Sequence, residues 1–154
     1  MKLNSKLIAV TSLLLFSATL FSFSSKPGGD SFEVWLNGKR MFQQYVHVAK
    51  TVQTLQLAQA SENDKLDIYY SHCGQTGKGR YITIKDENNR PLKVWKFADA
   101  TGGNVAMSFK LKDILSLKKN KTDKLNLFYS SLELPNGRLL ATIVAENEKG
   151  IARK

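Results

Sequence analysis

Short alternating strands predict an all-β fold for this chain, an antiparallel β-sandwich of eight or nine strands, and three observations carry the prediction. Apolar and polar residues alternate with period two in short stretches, as half-buried strands require. Turn chemistry separates the stretches at near-regular spacing: Asn37-Gly38, Ser61-Glu62-Asn63-Asp64, the glycine-rich run 74–79, the polar run 86–90, Thr101-Gly102-Gly103 and Pro135-Asn136-Gly137. No stripe of helical period and useful length competes with them.

The elements follow in order. Residues 31–36 place Phe32, Val34 and Leu36 on one face and Glu33 and Trp35 on the other. Asn37-Gly38 tolerates the two positive φ angles of a type I′ turn, so 39–48 returns as a second strand, with Phe42, Val46 and Val48 sharing a face with Gln44. Residues 51–57 form a third, less regular candidate carrying Leu55 and Leu57. In 65–71, Leu66, Ile68 and Tyr70 alternate with Asp67 and Tyr69. The glycine-rich loop leads to 80–85, with Ile82 and Ile84 on one face, and 92–97 returns. Pro91 suits a strand start, where its missing N–H costs little. Val105, Met107, Phe109 and Leu111 alternate with Ala106, Ser108 and Lys110, and 113–117 reads as a short helical turn. Leu125, Leu127 and Tyr129 restart the alternation, but Leu132 and Leu134 fall on the opposite parity. A bulge near Ser130-Ser131 is expected to restore the inward face. The last strand is 138–146, and 147–154 is a polar tail.

Ahead of this domain stands an address. Lys2 and Lys6 precede Leu7 to Phe23, 17 residues without a charge, and Ser22-Phe23-Ser24 puts small residues where a signal peptidase reads. Residues 1–24 thus have the layout of a secretory signal peptide, with 25–30 as a flexible lead-in and 31–146 as the sandwich domain. The apolar run is short for a membrane span, and Ser12, Ser17, Thr19 and Ser22 dilute it. An uncleaved N-terminal anchor is the weaker reading. Export to the periplasm or the medium, as a soluble protein, is the expectation.

Residues 1–24 carry two of the 23 Lys and Arg and none of the 13 acidic side chains, which leaves a net charge of +8 for the rest. That balance favours acidic surroundings such as an acidic glycan or an envelope protein. Export argues against nucleic acid as a partner. Cys73 is the only cysteine, so no internal disulfide supports the fold.

The short Lys/Asn signal, the Asn-Gly hairpin turns and the Lys/Asn-rich strands resemble small exported β-sandwich proteins of Bacteroidota type, many without assigned activity. The resemblance implies export and a β-sandwich. It carries no site residue to this sequence.

Candidate chemistry is sparse. Gly74-Gln75-Thr76-Gly77-Lys78-Gly79 fails as a phosphate loop on spacing, on the missing hydroxyl after the lysine and on the strand that follows. Its glycine N–H groups, with Lys78 and Arg80, are a weaker candidate anion site. Cys73 with His47 as base is the enzymatic candidate. His72 is a poor partner, because adjacent strand residues face opposite ways. Two histidines and one cysteine fall short of a closed zinc set, and neither a metal nor any other cofactor is expected. The aromatics Trp35, Tyr45, Tyr69, Tyr81, Trp95 and Phe97 lie on the parity opposite the clearest apolar faces, a possible platform for a sugar. The leading expectation is a non-catalytic binding or structural protein with Trp35, Trp95, Lys78 and Arg80 as first contacts. The alternatives are a carbohydrate- or polyanion-binding module and a small Cys73-dependent enzyme.

Overall fold

A computed structural model describes residues 29–48, 51–57, 60–102, 105–120 and 123–144. The signal segment 1–24, most of the lead-in and the tail lie outside these residues. The described chain runs β1 (Ser31–Leu36), β2 (Lys39–Tyr45), β3 (Gln53–Gln56), β4 (Lys65–Ser71), β5 (Arg80–Lys85), β6 (Pro91–Phe97), β7 (Met107–Lys110), α1 (Leu111–Leu115), β8 (Leu125–Ser130) and β9 (Arg138–Val144). Two sheets form, ordered β2-β1-β4-β7 and β3-β9-β8-β5-β6. The all-β, two-sheet expectation holds with nine strands. One pairing departs from it: β3 runs parallel to β9, Leu55 beside Ile143, whereas every other pairing is antiparallel.

Alternation puts one set of side chains between the sheets. Phe32, Val34, Leu66, Ile68 and Met107 from the four-stranded sheet meet Leu55, Ile82, Ile84, Leu127 and Ile143 from the five-stranded sheet, all buried. Burial of such side chains contributes about 1.5–3 kcal/mol each before chain entropy is set against it. Asn37 and Gly38 adopt φ of 50° and 75°, as a type I′ hairpin requires. The Asn37 side chain also ties that hairpin to β4, accepting from the Lys65 N–H at 2.8 Å.

The expected bulge at Ser130-Ser131 is absent. Strand β8 ends at Ser130, and residues 131–134 close a turn in which the Ser131 and Leu134 backbones bond to each other. Leu132 is left 73% exposed while Leu134 packs on the core. The bulge falls instead in β9. Leu127 faces Ala141 and Phe128 faces Leu139, so Leu140 is the extra residue, and Leu140 and Ala141 are both buried.

Strand β6 also reverses expectation. Trp95 pairs with Ile82, so Trp95 and Phe97 take the inward parity, and Leu92 and Val94 point out. β6 is an edge strand, and its inner side closes against Phe109 of β7. Trp95 stacks on that ring at 5.2 Å with an interplanar angle of 9°. The larger rings bury more area inside than Leu92 and Val94 would. Among the described residues no helix is long and apolar enough to cross a membrane.

Candidate functional site

The densest polar cluster sits between the sheets, at the end where β4 and β8 both finish. Tyr70 and His72, two apart, project inward from β4 and its extension, and Tyr129 and Ser131 do the same from β8. The Tyr70 and Tyr129 rings stack at 4.1 Å. His72 lies against both, and its Nε2 meets the Tyr129 hydroxyl at 2.9 Å and Ser131 Oγ at 3.1 Å. On its other edge Nδ1 lies 3.4 Å from Asp30 Oδ2, which also accepts from the Tyr70 hydroxyl at 2.8 Å. Arg138 Nε donates to Tyr70 Oη at 3.2 Å. Nδ1 thus faces Asp30 and Nε2 faces the two hydroxyls, whose donor and acceptor roles follow the imidazole's protonation.

Carboxylate, imidazole and hydroxyl therefore stand in the order Asp30, His72, Ser131, the order used in acyl transfer. The hydroxyl and the neighbouring N–H groups are committed within the protein. Ser131 is buried, and its Oγ accepts the Leu134 N–H at 3.2 Å. The Tyr129 hydroxyl competes for the same imidazole nitrogen. A nucleophile needs room for a carbonyl beside it and free N–H donors for the oxyanion. The N–H groups of Lys78 and Gly79 are committed, Lys78 to both Glu133 oxygens at 3.2 and 3.1 Å and Gly79 to Asp99 Oδ1 at 2.7 Å. The cluster is a satisfied interior network that joins the two sheets.

Those same bonds occupy one end of the glycine loop, where the Lys78 and Gly79 N–H groups meet the protein's own carboxylates, Glu133 and Asp99. Lys78 has an exposed side chain, but Arg80 is 1% exposed and does not share that surface. The Arg80 guanidinium donates inward, Nε to the Ala98 carbonyl and Nη1 to the Val105 carbonyl, each at 2.8 Å. Arg80 sits on the inward parity of β5 with Ile82 and Ile84, so its strand position already turns it to the interior. A polar notch of about 290 Å³ opens beside the loop, lined by Ser71, His72, Gln75 and Thr76 among others.

Electrostatics match the closed network. Burial, with the Asp30 carboxylate beside it, pushes the Tyr70 phenol well above its ordinary range. Burial raises Tyr129 as well. Glu133 moves the other way: burial opposes its charge, but the Lys78 N–H, Ser131 and the nearby His72 outweigh that and lower its pKa.

His47 lies in the turn that follows β2, where its ring meets that of Tyr45 at 6.3 Å, and Cys73 lies in the turn that follows β4. His72 turns inward, away from the thiol, and Cys73 remains a half-buried free cysteine. Among the described residues no group of three or more His, Cys, Asp or Glu is arranged to hold a metal ion.

The aromatic platform divides between surfaces. Trp95 and Phe97 close the core and are removed from it. Tyr81 lies on the outer face of the five-stranded sheet. Trp35, Tyr45 and Tyr69 share the outer face of the four-stranded sheet, where the Trp35 and Tyr69 rings meet edge to face at 5.9 Å. Trp35 is half-buried, and its indole N–H donates to Glu33 Oε2 at 2.7 Å. Arg40 reaches over the indole at 5.9 Å, ion-pairs with Glu33 at 3.7 Å and donates to Gln43. Beside them Asp67 is held by Lys65 at 3.0 Å and by the Ser108 hydroxyl.

Sequence reasoning missed Asp30, Tyr70, Tyr129 and Ser131 as one cluster. The available signal was the pair of polar-aromatic doublets, Tyr70/His72 and Tyr129/Ser131, each on the inward parity of its strand. No protein-family model matches the chain, and no curated protein matches it either. The class defined by fold and site is therefore a two-sheet all-β domain with an interior histidine network.

Proposed function

We propose that the chain is an exported, non-catalytic binding protein whose contact surface is the outer face of the four-stranded sheet. A glycan is the ligand that face fits best. The carrying observation is the Trp35–Tyr69 pair set among hydrogen-bonding groups of both kinds, Glu33 as acceptor and the Arg40 guanidinium and Gln43 amide as donors. A sugar ring presents an apolar C–H face for an indole and hydroxyls that both donate and accept. Pre-bonded side chains around the ring lower the ordering cost of binding. Export rests on the signal layout of residues 1–24.

The test is affinity electrophoresis of the exported protein through gels containing soluble neutral polysaccharides, namely a β-glucan, a xylan and a mannan. At least one is expected to retard the protein, and Trp35→Ala is expected to weaken that retardation tenfold or more. Its unfolding midpoint should stay near that of the parent protein. No retardation by any of the three, or equal retardation of parent and variant, would refute the sugar reading.

A further inference from the structure

The opposite outer face, on the five-stranded sheet, carries different chemistry. Across β6, β5 and β8 the register sets Lys96, Tyr81 and Ser130 in one row and Val94, Thr83 and Phe128 in the next. Lys85 and Asn126 face each other in a third row. Burial alternates so that Ile82, Ile84, Leu127 and Tyr129 point inward, which leaves these rows outward. Lys85 Nζ sits 4.0 Å from the Phe128 ring centroid, and Lys96 Nζ sits 6.0 Å from that of Tyr81.

The outward residues of these three rows include no carboxylate. On the four-stranded face Arg40 and Lys65 each have one, Glu33 and Asp67. The carboxylates at the nearby β5–β6 turn are engaged elsewhere. Asp86 pairs with Arg90 at 2.7 Å, and Glu87 accepts the Lys124 N–H. Lys85 and Lys96 thus rest on rings and keep ammonium N–H groups for an incoming anion. A lysine held over a ring has less freedom to lose on binding than one waving in solvent.

We propose that this face binds an acidic polysaccharide, a polyuronate in class, whose carboxylates pair with Lys85 and Lys96. Lys85 reaches over Phe128 on β8, whereas Lys96 stands on β6 beside Tyr81 in the next row, so the two ammonium groups lie over different strands and different rows of the sheet. Two cations spread over a face in this way suit a polymer with repeated charges better than a single small anion. Thr83 and Ser130 supply hydroxyls along the track, and the exposed edges of Tyr81 and Phe128 supply apolar contact for sugar rings. A lipid surface would need protruding aliphatic residues across the face. Here they are confined to Leu92 and Val94 on the edge strand.

The proposal is independent of the Trp35 surface, and the experiment separates the two. The exported protein is run through gels containing polygalacturonate, at low and at high salt, with dextran as the neutral comparison. Retardation by polygalacturonate but not by dextran is expected, weakening several-fold as salt screens the charges. Lys85→Ala/Lys96→Ala should cut the low-salt affinity at least tenfold, and Lys85→Arg/Lys96→Arg should retain most of it. Trp35→Ala should leave it unchanged. Failure to bind polygalacturonate overturns the proposal, as does binding that the double alanine variant keeps. Capture by phosphatidylglycerol vesicles that the alanine pair abolishes, without retardation by polygalacturonate, would overturn it in favour of a lipid surface.

Discussion

The interior end around His72 and the outer face around Trp35 are built from the same groups: carboxylates, an arginine, tyrosines and a nitrogen ring. At the interior end the polar side chains meet protein partners, because a buried donor or acceptor left unpaired costs about 1–3 kcal/mol. Arg80 meets two carbonyls there, and His72 meets Asp30 on one edge and two hydroxyls on the other. On the outer face Arg40 is half exposed and its ion pair with Glu33 is loose at 3.7 Å. The same chemistry is locked inside in one place and partly open to solvent in the other, and burial decides which.

The hardest blow to that contrast is Arg80→Ala. It strips donors from the Ala98 and Val105 carbonyls and removes a buried stem, so the expected loss is about 3 kcal/mol or more. Arg40→Ala on the outer face should change stability by no more than about 0.5 kcal/mol. Urea midpoints of the two variants measure it, and similar losses would collapse the distinction.

Gly77→Ala comes next. A methyl group there would lie 3.1 Å from Tyr129 Oη, 3.2 Å from Arg80 Cδ and 3.3 Å from His72 Cδ2. Three members of the interior network would have to give way, at about 1–2 kcal/mol. Near-UV circular dichroism should report the disturbed Tyr70–Tyr129 stack. An unchanged spectrum and an unchanged midpoint would show that the network has slack.

The smallest effect is on pH dependence. Tyr70 and Tyr129 have folded pKa values raised above that of a free phenol, so the stability they contribute is complete below about pH 10 and declines above it. Glu133 is lowered, so its contribution is present above about pH 4.3 and declines as pH falls through its folded value. Tyr129→Phe should flatten the alkaline limb of the midpoint profile and Glu133→Gln the acid limb. Profiles parallel to the parent's would deny those contacts.

Much of the fold was legible because alternation is a local property. The strand positions of Phe32, Val34, Leu66, Ile68, Ile82 and Ile84, and the positive φ angles at Asn37-Gly38, follow from residue type and spacing. The candidate site was legible only in part. Trp35 was placed outward correctly from its own strand. Trp95 was not, since both parities of β6 are apolar and only the facing Phe109 breaks the tie. Arg80 looked like a surface cation because lysine and arginine usually are, and the two carbonyls that receive it come from residues 18 and 25 positions away.

By itself the sequence determined what depends on neighbours along the chain: the period-two strands, the type I′ turn and the count of charges. Tertiary structure decided what depends on neighbours across space. It ran β3 parallel to β9 and put the extra residue of the bulge at Leu140. It met the Lys78 and Gly79 N–H groups with Glu133 and Asp99, and it gathered Asp30, His72 and Ser131 into one network. The physical reason is the same in each case. Hydrogen bonds and burial are satisfied by whichever groups the packed sheets bring within reach, and distance along the chain does not encode that reach.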